Sequence, residues 1–533
     1  MPTRRPRPVA LLTALAFALL TAMPTPAAPP SVAAAPPGAA ALWAQPHPAY
    51  TEARDLLDQG RFADAEALLA ADPSLDAQAR ADALDVIRRL RREFSQSAER
   101  LTERIAAQVD GFTAEELTRL TDQGLVVHRV IDGSVGYFRR EPGVLFRFND
   151  DIKQRREATR LARAADTPTT PLDEDRSNRT LNDHLADVVA EGLTAHSAGQ
   201  PPLVTPTRFR FDYTLTVKPA EQQHDPALMK PGSTLRVWLP YPQPYRQQSN
   251  IALTHAAIDG QPYDPYLAPP AANFDGPGPI TGTLQRTAYF EHTVADPAEP
   301  IRFELSFEYT VAGHYPVIDP EQVRPLTADE EQAFAPYLAE RPPHLVFTTE
   351  LRDLVDKIVG DATHPWDRAQ RLWDWWDANI RWLPEFEYAT IPSFTEFCLD
   401  RRRGDCGVQA VTFMAMLRLA GIPARWQSGF ITFPGSKNLH DWAEMYIAPY
   451  GWVVVDPSFG KRTTDDPNVR DFYLGHMDAY RLIVNLDYGQ PLDPPKPSLR
   501  SEPADFQRGE VELDGTNLYF DDWSYRFVPT VIE

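Results

Sequence analysis

The sequence predicts a multi-domain chain: a mainly helical N-terminal region, then an antiparallel β-sandwich, then an α+β core. Three observations predict it. The 533 residues exceed what one hydrophobic core supports. The hydrophobic period changes from helical to alternating near residue 207. It returns to helical near residue 345, and short apolar runs follow Gly421.

The first residues predict export. Arg4, Arg5 and Arg7 precede an apolar run from Val9 to Ala22, a signal-peptide core length that is short for a membrane span. No cysteine follows the run closely, which disfavours a lipid anchor. Residues 1–45 are read as a signal peptide and an Ala/Pro-rich linker, with an uncleaved N-terminal anchor as the alternative. The expected location is periplasmic or secreted, with no transmembrane domain beyond the signal segment.

Residues 46–200 read as mainly helical. Ala53, Leu56, Leu57, Phe62, Ala65 and Leu68 form two amphipathic turns around Gly60. Leu84, Ile87, Phe94, Leu101 and Ile105 mark one face of a longer helix. Thr113 with Glu116 resembles a capping box. Leu125 to Phe138 reads as a hairpin turning at Asp132-Gly133. Arg155 to Asn182 is polar, an exposed linker or helix.

Residues 203–318 read as the sandwich. Phe209, Phe211, Tyr213, Leu215 and Val217 occupy every second position, as do Ile301, Phe303, Leu305, Phe307 and Tyr309. The core is placed at 325–490. Leu351, Leu354, Val355 and Ile358 share one helical face, and Ala369, Leu372, Trp373, Trp376 and Ile380 another. A helix from Cys406 to Ala420 ends at Gly421, a natural terminator, and three short strands follow. Residues 491–533 form a C-terminal extension expected to pack on the core or the sandwich.

Charge and cysteine content exclude several classes. The formal charge of −21 comes from 53 basic against 74 acidic residues, with no basic stripe, so no nucleic-acid partner is expected. The two cysteines, Cys398 and Cys406, are too few for a disulfide scaffold and lack histidines at zinc spacing. No calcium loop is present either, so no metal or other cofactor is expected.

Three blocks carry chemistry. Arg403-Gly404-Asp405-Cys406-Gly407 opens a helix that runs into Leu419-Ala420-Gly421-Ile422-Pro423-Ala424-Arg425. Leu439-His440-Asp441-Trp442-Ala443-Glu444 comes next, followed by Gly451-Trp452-Val453-Val454-Val455-Asp456-Pro457. In order and spacing they resemble the core of the transglutaminase-like superfamily, a papain-like fold, over roughly residues 350 to 480. Leu235-Arg236-Val237-Trp238-Leu239-Pro240 resembles the β domain that often precedes this core in bacterial members. The resemblance implies a catalytic triad of Cys406, His440 and Asp456.

The residue types suit those roles. A sulfur at a helix N-terminus meets the positive end of the dipole, which lowers a thiol pKa. Gly404 and Gly407 would permit a sharp turn into the helix. His440 would pair with the thiolate and protonate the leaving amine. Asp456, at the end of the following strand, would orient the imidazole, and the Cys406 N–H would be one oxyanion donor. The bland readings are a buried cysteine, a structural histidine and a strand-ending Asp-Pro. Cys398 reads as packing, with a reversible disulfide to Cys406 as the sharper alternative. Trp373, Trp375 and Trp376 read as packing rather than a sugar platform, and Arg401 to Arg403 as a solvated turn. Trp382 lies where relatives often carry an aromatic near the site.

The expected activity is cysteine-dependent acyl transfer from peptide or protein amides through a thioester, with water as the acceptor. A cross-linking transglutaminase and a noncatalytic binding module are the alternatives.

Overall fold

The computed structural model describes residues 47–163, 179–434 and 436–532. The predicted signal segment lies outside the described residues, as does part of the polar stretch from Arg155 to Asn182.

The N-terminal region is α1 (Pro48–Asp58), α2 (Phe62–Ala71), α3 (Ala77–Glu93), α4 (Ala98–Ala106), α5 (Ala114–Asp122), β1 (His128–Ile131), β2 (Ser134–Tyr137), α6 (Gly143–Phe148), α7 (Asp150–Arg163) and α8 (Arg179–Ser197). The hairpin turns at Asp132-Gly133, where both residues have positive φ, 48° and 81°. The long helix expected over Leu84 to Ile105 is two helices. Ser97 caps α4 by accepting from the Arg100 N–H, and Gln96 bridges Tyr137 instead of continuing the helix. A short side chain that bonds the backbone favours a cap over a helix interior.

The β region is β3 (Leu203–Val217), β4 (Thr234–Pro240), β5 (Gln248–Ile258), β6 (Gln261–Pro262), β7 (Tyr266–Leu267), β8 (Thr287–Thr293) and β9 (Ile301–His314). The third region is α9 (Ala328–Ala333), α10 (Ala335–Leu338), α11 (Thr349–Val359), α12 (Pro365–Asn379), β10 (Arg381–Trp382), α13 (Phe394–Arg401), β11 (Arg403–Gly404), α14 (Cys406–Leu419), β12 (Ala424–Ile431), β13 (Asn438–Ile447), β14 (Gly451–Val455), α15 (Pro467–Arg470) and β15 (Arg481–Asn485). The tail adds β16 (Glu510–Leu513), β17 (Thr516–Leu518) and β18 (Trp523–Val531).

Two five-stranded antiparallel sheets, ordered β17-β16-β4-β8-β7 and β18-β3-β9-β5-β6, share one core. The alternating apolar positions Phe211, Leu215, Val237, Phe290, Phe303 and Leu305 fill it. The tail completes both sheets: β16 pairs β4 through Val511 and Val237, and β18 pairs β3 from Trp523–Val217 to Val531–Phe209.

A third, antiparallel sheet, β14-β13-β12-β15, packs on α14. Every residue of α14 from Gly407 to Arg418 is buried, so this helix is a core element on all faces. Trp373 and Trp376 are buried on α12 with edges against Phe413 of α14. Phe430, Leu482 and Val484 of the third sheet also enter the core shared by the other two. That packing fixes α14, β13 and β14, the elements that carry the chemistry-bearing residues.

Candidate active site

The turn into α14 is built differently from the expectation. The residue with a left-handed backbone is Arg402, φ 53°, just before β11; Gly404 and Gly407 have no positive φ. The glycines are needed for close approach. A Cβ on Gly404 would meet Val408 Cγ1 at 2.8 Å, and one on Gly407 would run into Tyr388 Oη. Tyr388 Oη instead accepts the Gly407 N–H at 2.9 Å and donates to Asp405 Oδ1 at 2.9 Å. Asp405 caps α14 by accepting from the Val408 N–H at 3.4 Å. Cys406 is the first residue of the helix and is partly exposed.

His440 lies on β13 opposite Gly429 of β12, and Asp456 directly follows β14. His440 Nε2 and Asp456 Oδ2 are 2.7 Å apart. Asp456 Oδ2 also accepts from Arg481 Nη1 at 2.9 Å, and Oδ1 accepts from Ser458 Oγ at 3.0 Å and the Phe459 N–H at 3.2 Å. Burial alone would raise the Asp456 carboxyl, but the charges of His440 and Arg481 outweigh it and hold it well below the usual range. An ionised acceptor at Nε2 selects the tautomer protonated there and leaves Nδ1 as a proton acceptor. Burial holds the His440 imidazole below its ordinary pKa, although Asp456 opposes it, so the ring is neutral at pH 7.

The thiol points to a different partner. Cys406 Sγ donates to Asp441 Oδ2 at 3.2 Å and makes no such bond to His440. Asp441 Oδ2 also lies 3.3 Å from Tyr388 Oη, and Oδ1 accepts from Gln507 Nε2 at 2.7 Å. Gln507 donates to the His440 carbonyl as well, at 2.9 Å. Burial, then the Asp441 and Asp405 carboxylates, push the Cys406 thiol well above its ordinary pKa. This reverses the lowering expected from the helix dipole: burial, with two carboxyls beside the sulfur, outweighs one helix terminus. Burial and neighbouring carboxyls also raise Asp405 to about 6 and Asp505 to about 7, and lift Asp441 well up. The resting pair is therefore a neutral thiol and a neutral imidazole.

Strand alternation explains why consecutive residues serve two sides. His440 lines a cleft of about 1060 Å3, and Asp441 lines a second cavity of about 510 Å3 with Tyr388, Asp505 and Gln507. Cys406 and Trp382 line both. The structure thus joins His440 to Asp456 and places Cys406 on the His440 cleft, with its thiol turned toward Asp441. Asp441 lies inside a sequence block already singled out, so its position beside His440 was the available signal; Tyr388 and Gln507 come from distant segments that gave none. Cys398 is buried and unbridged, its thiol pushed by burial to about 12. Among the described residues no cluster of His, Cys, Asp and Glu could hold a metal ion.

The site lies within a recognisable segment. Residues 352–457 match the transglutaminase-like superfamily. The uncharacterized protein YebA of Bacillus subtilis (strain 168) is 28% identical over 174 residues, covering 28% of this chain and 23% of that protein. The chain thus spans about a quarter of the length of that curated relative. Among solved structures, a candidate cysteine protease from Cytophaga hutchinsonii is similar at 14% identity and a TM-score of 0.39, over 62% of this chain and 92% of that one. The periplasmic domain of TgpA from Pseudomonas aeruginosa is similar at 18% identity and a TM-score of 0.23, over 50% of this chain and 91% of that domain. The chain carries, at residues 352–457, the core domain of the transglutaminase-like superfamily.

Proposed function

We propose that this chain is an exported cysteine-dependent enzyme that hydrolyses amide bonds of peptides or proteins through a thioester on Cys406. The observation that carries the reading is Cys406 at the start of a buried helix, on the same cleft as a histidine held by a buried carboxylate. Export rests on the sequence of residues 1–45 alone.

The proposed reaction begins when Sγ turns from Asp441 to His440. Nδ1 takes the thiol proton as sulfur attacks the amide carbon. The oxyanion is met by the Cys406 N–H at the helix start. The C–N bond breaks as Nδ1–H protonates the departing amine, leaving a thioester. Water then gives a proton to Nδ1 and its oxygen to the acyl carbon, and the acid leaves as sulfur regains the proton. An open cleft of about 1060 Å3 admits that water.

A second reading, amine transfer, has its own supporting observation. The second cavity reaches Cys406 by its own route past Asp441, Asp505 and Gln507, a path by which an amine acceptor would arrive separately from the acyl donor. Incubation with a labelled primary amine and a glutamine-rich protein separates the two. Acid and ammonia release should exceed amine incorporation, and Cys406→Ala or His440→Ala should lower turnover by about a thousandfold or more. Incorporation outpacing release would replace hydrolysis by transfer, and a Cys406→Ala chain as active as the parent would sink both.

A further inference from the structure

The cleft beside Cys406 has a charge opposite to that of the chain. The formal charge of the sequence is −21, yet among the described residues seven arginine and lysine side chains line this cleft against three carboxylates. Arg104, Arg140, Arg147, Lys153 and Arg156 come from the helical N-terminal region, and Arg381 belongs to β10. The carboxylates are engaged or peripheral. Asp478 accepts from Arg481 at 2.9 Å, Asp377 from the Lys461 N–H at 3.0 Å, and Asp150 sits in the first turn of α7.

Three of the cations form no salt bridge with a carboxylate among the described residues. Arg104 donates to the Gln96 side chain and to the Arg139 carbonyl. Arg156 lies over the Phe146 ring, 4.4 Å from its centroid, and Arg381 lies 5.8 Å from that of Phe148. Burial, then the nearby Arg147 charge, hold the Arg156 guanidinium below its ordinary range. Such a site lowers its energy by taking an anion, and a guanidinium fork suits a carboxylate. A volume of about 1060 Å3 admits a peptide segment rather than one small acid.

Resting on the reading of Cys406 as the nucleophile, we propose that the site selects acidic peptides, with Asp or Glu side chains flanking the scissile amide held by Arg104, Arg156 and Arg381. The N-terminal helical region then acts as a specificity element, because it supplies most of the cleft's cations.

Binding tests this without turnover. The full chain carrying Cys406→Ala is titrated with a fluorescent decapeptide of alternating Glu and Gly, and with its Gln-for-Glu isostere. The acidic peptide should bind about tenfold or more tightly, and the preference should fade at about 0.5 M salt. Adding Arg156→Glu and Arg381→Glu should abolish the preference; the exposed Arg381→Glu alone should weaken it if the double variant does not fold. Equal binding of the isostere overturns the proposal, and so does equal binding of a single-stranded DNA decamer. A wild-type chain that binds the acidic peptide yet cleaves no peptide leaves the inference standing and removes the enzymatic reading. Cleavage indifferent to peptide charge does the reverse.

Discussion

At the scale of single residues, Asp441 adds to burial in setting the state of the sulfur. It accepts the Cys406 thiol hydrogen at 3.2 Å, and after burial its carboxyl is the largest influence that raises the thiol. Burial and a neighbouring carboxyl both disfavour a thiolate, so the resting thiol stays protonated. Asp441→Asn keeps the shape, and its Oδ1 can still accept from Gln507, but it removes the charge that the lifted Asp441 carboxyl takes on as pH rises toward the range where the thiol ionises. Thiolate becomes easier to form, so the pH profile of alkylation by a chloroacetamide should move to lower pH, by roughly one to three units. Cys398 is a silent internal control, buried with its thiol raised to about 12. Intact-mass analysis over a pH series reads the midpoint. An unmoved midpoint in a folded Asp441→Asn chain would show that another group raises the thiol.

At the scale of elements, α14 shows what a sequence discloses and what it hides. Its start at Cys406 followed from the block around Gly404-Asp405-Cys406, and Gly421 placed its end at Ala420, which is the cap residue just past the last helical residue, Leu419. β12, β13 and β14 followed from short apolar runs beside the His440 and Asp456 blocks. Local patterns are legible because periodicity and caps are written in neighbouring residues. The role of Gly407 was not legible, because its reason is Tyr388, folded back from 19 residues upstream. Nor was the thiol's partner, since a strand pattern gives alternation but not which face meets the sulfur. The Gly407 contact is testable. In Gly407→Ala the new methyl drives Tyr388 from its bonds to Asp405 and the helix N-terminus, an overpacking cost of about 1–3 kcal/mol. Thermal melting followed by circular dichroism should show a lowered midpoint, whereas an unchanged midpoint would mean that Tyr388 yields freely.

At the scale of the whole molecule, segments far apart in the chain are interdependent. Glu387, in the third region, accepts from Arg139 of the N-terminal region and from Arg508 of the tail, the latter at 2.7 Å. The helical, alternating and α+β stretches were legible because each has its own period. The tail read only as an extension expected to pack somewhere, because strands as short as Glu510–Leu513 do not name their partners. In the fold it completes two sheets, and it lends Gln507 and Asp505 to the surroundings of Cys406. Removing residues 491–533 should therefore unfold the protein rather than trim it. Phe506, Val511, Leu513, Leu518, Tyr519 and Trp523 are each at most 2% exposed. At about 1.5–3 kcal/mol per buried apolar side chain, their loss rivals the stability of roughly 5–15 kcal/mol typical of a folded domain. It also bares β3 and β4 as long apolar edges prone to aggregation. The chain ending at residue 490 should lose its cooperative melt and elute as aggregate on size exclusion, while a truncated chain melting within a few degrees of the full one would show that the tail merely decorates the sheets.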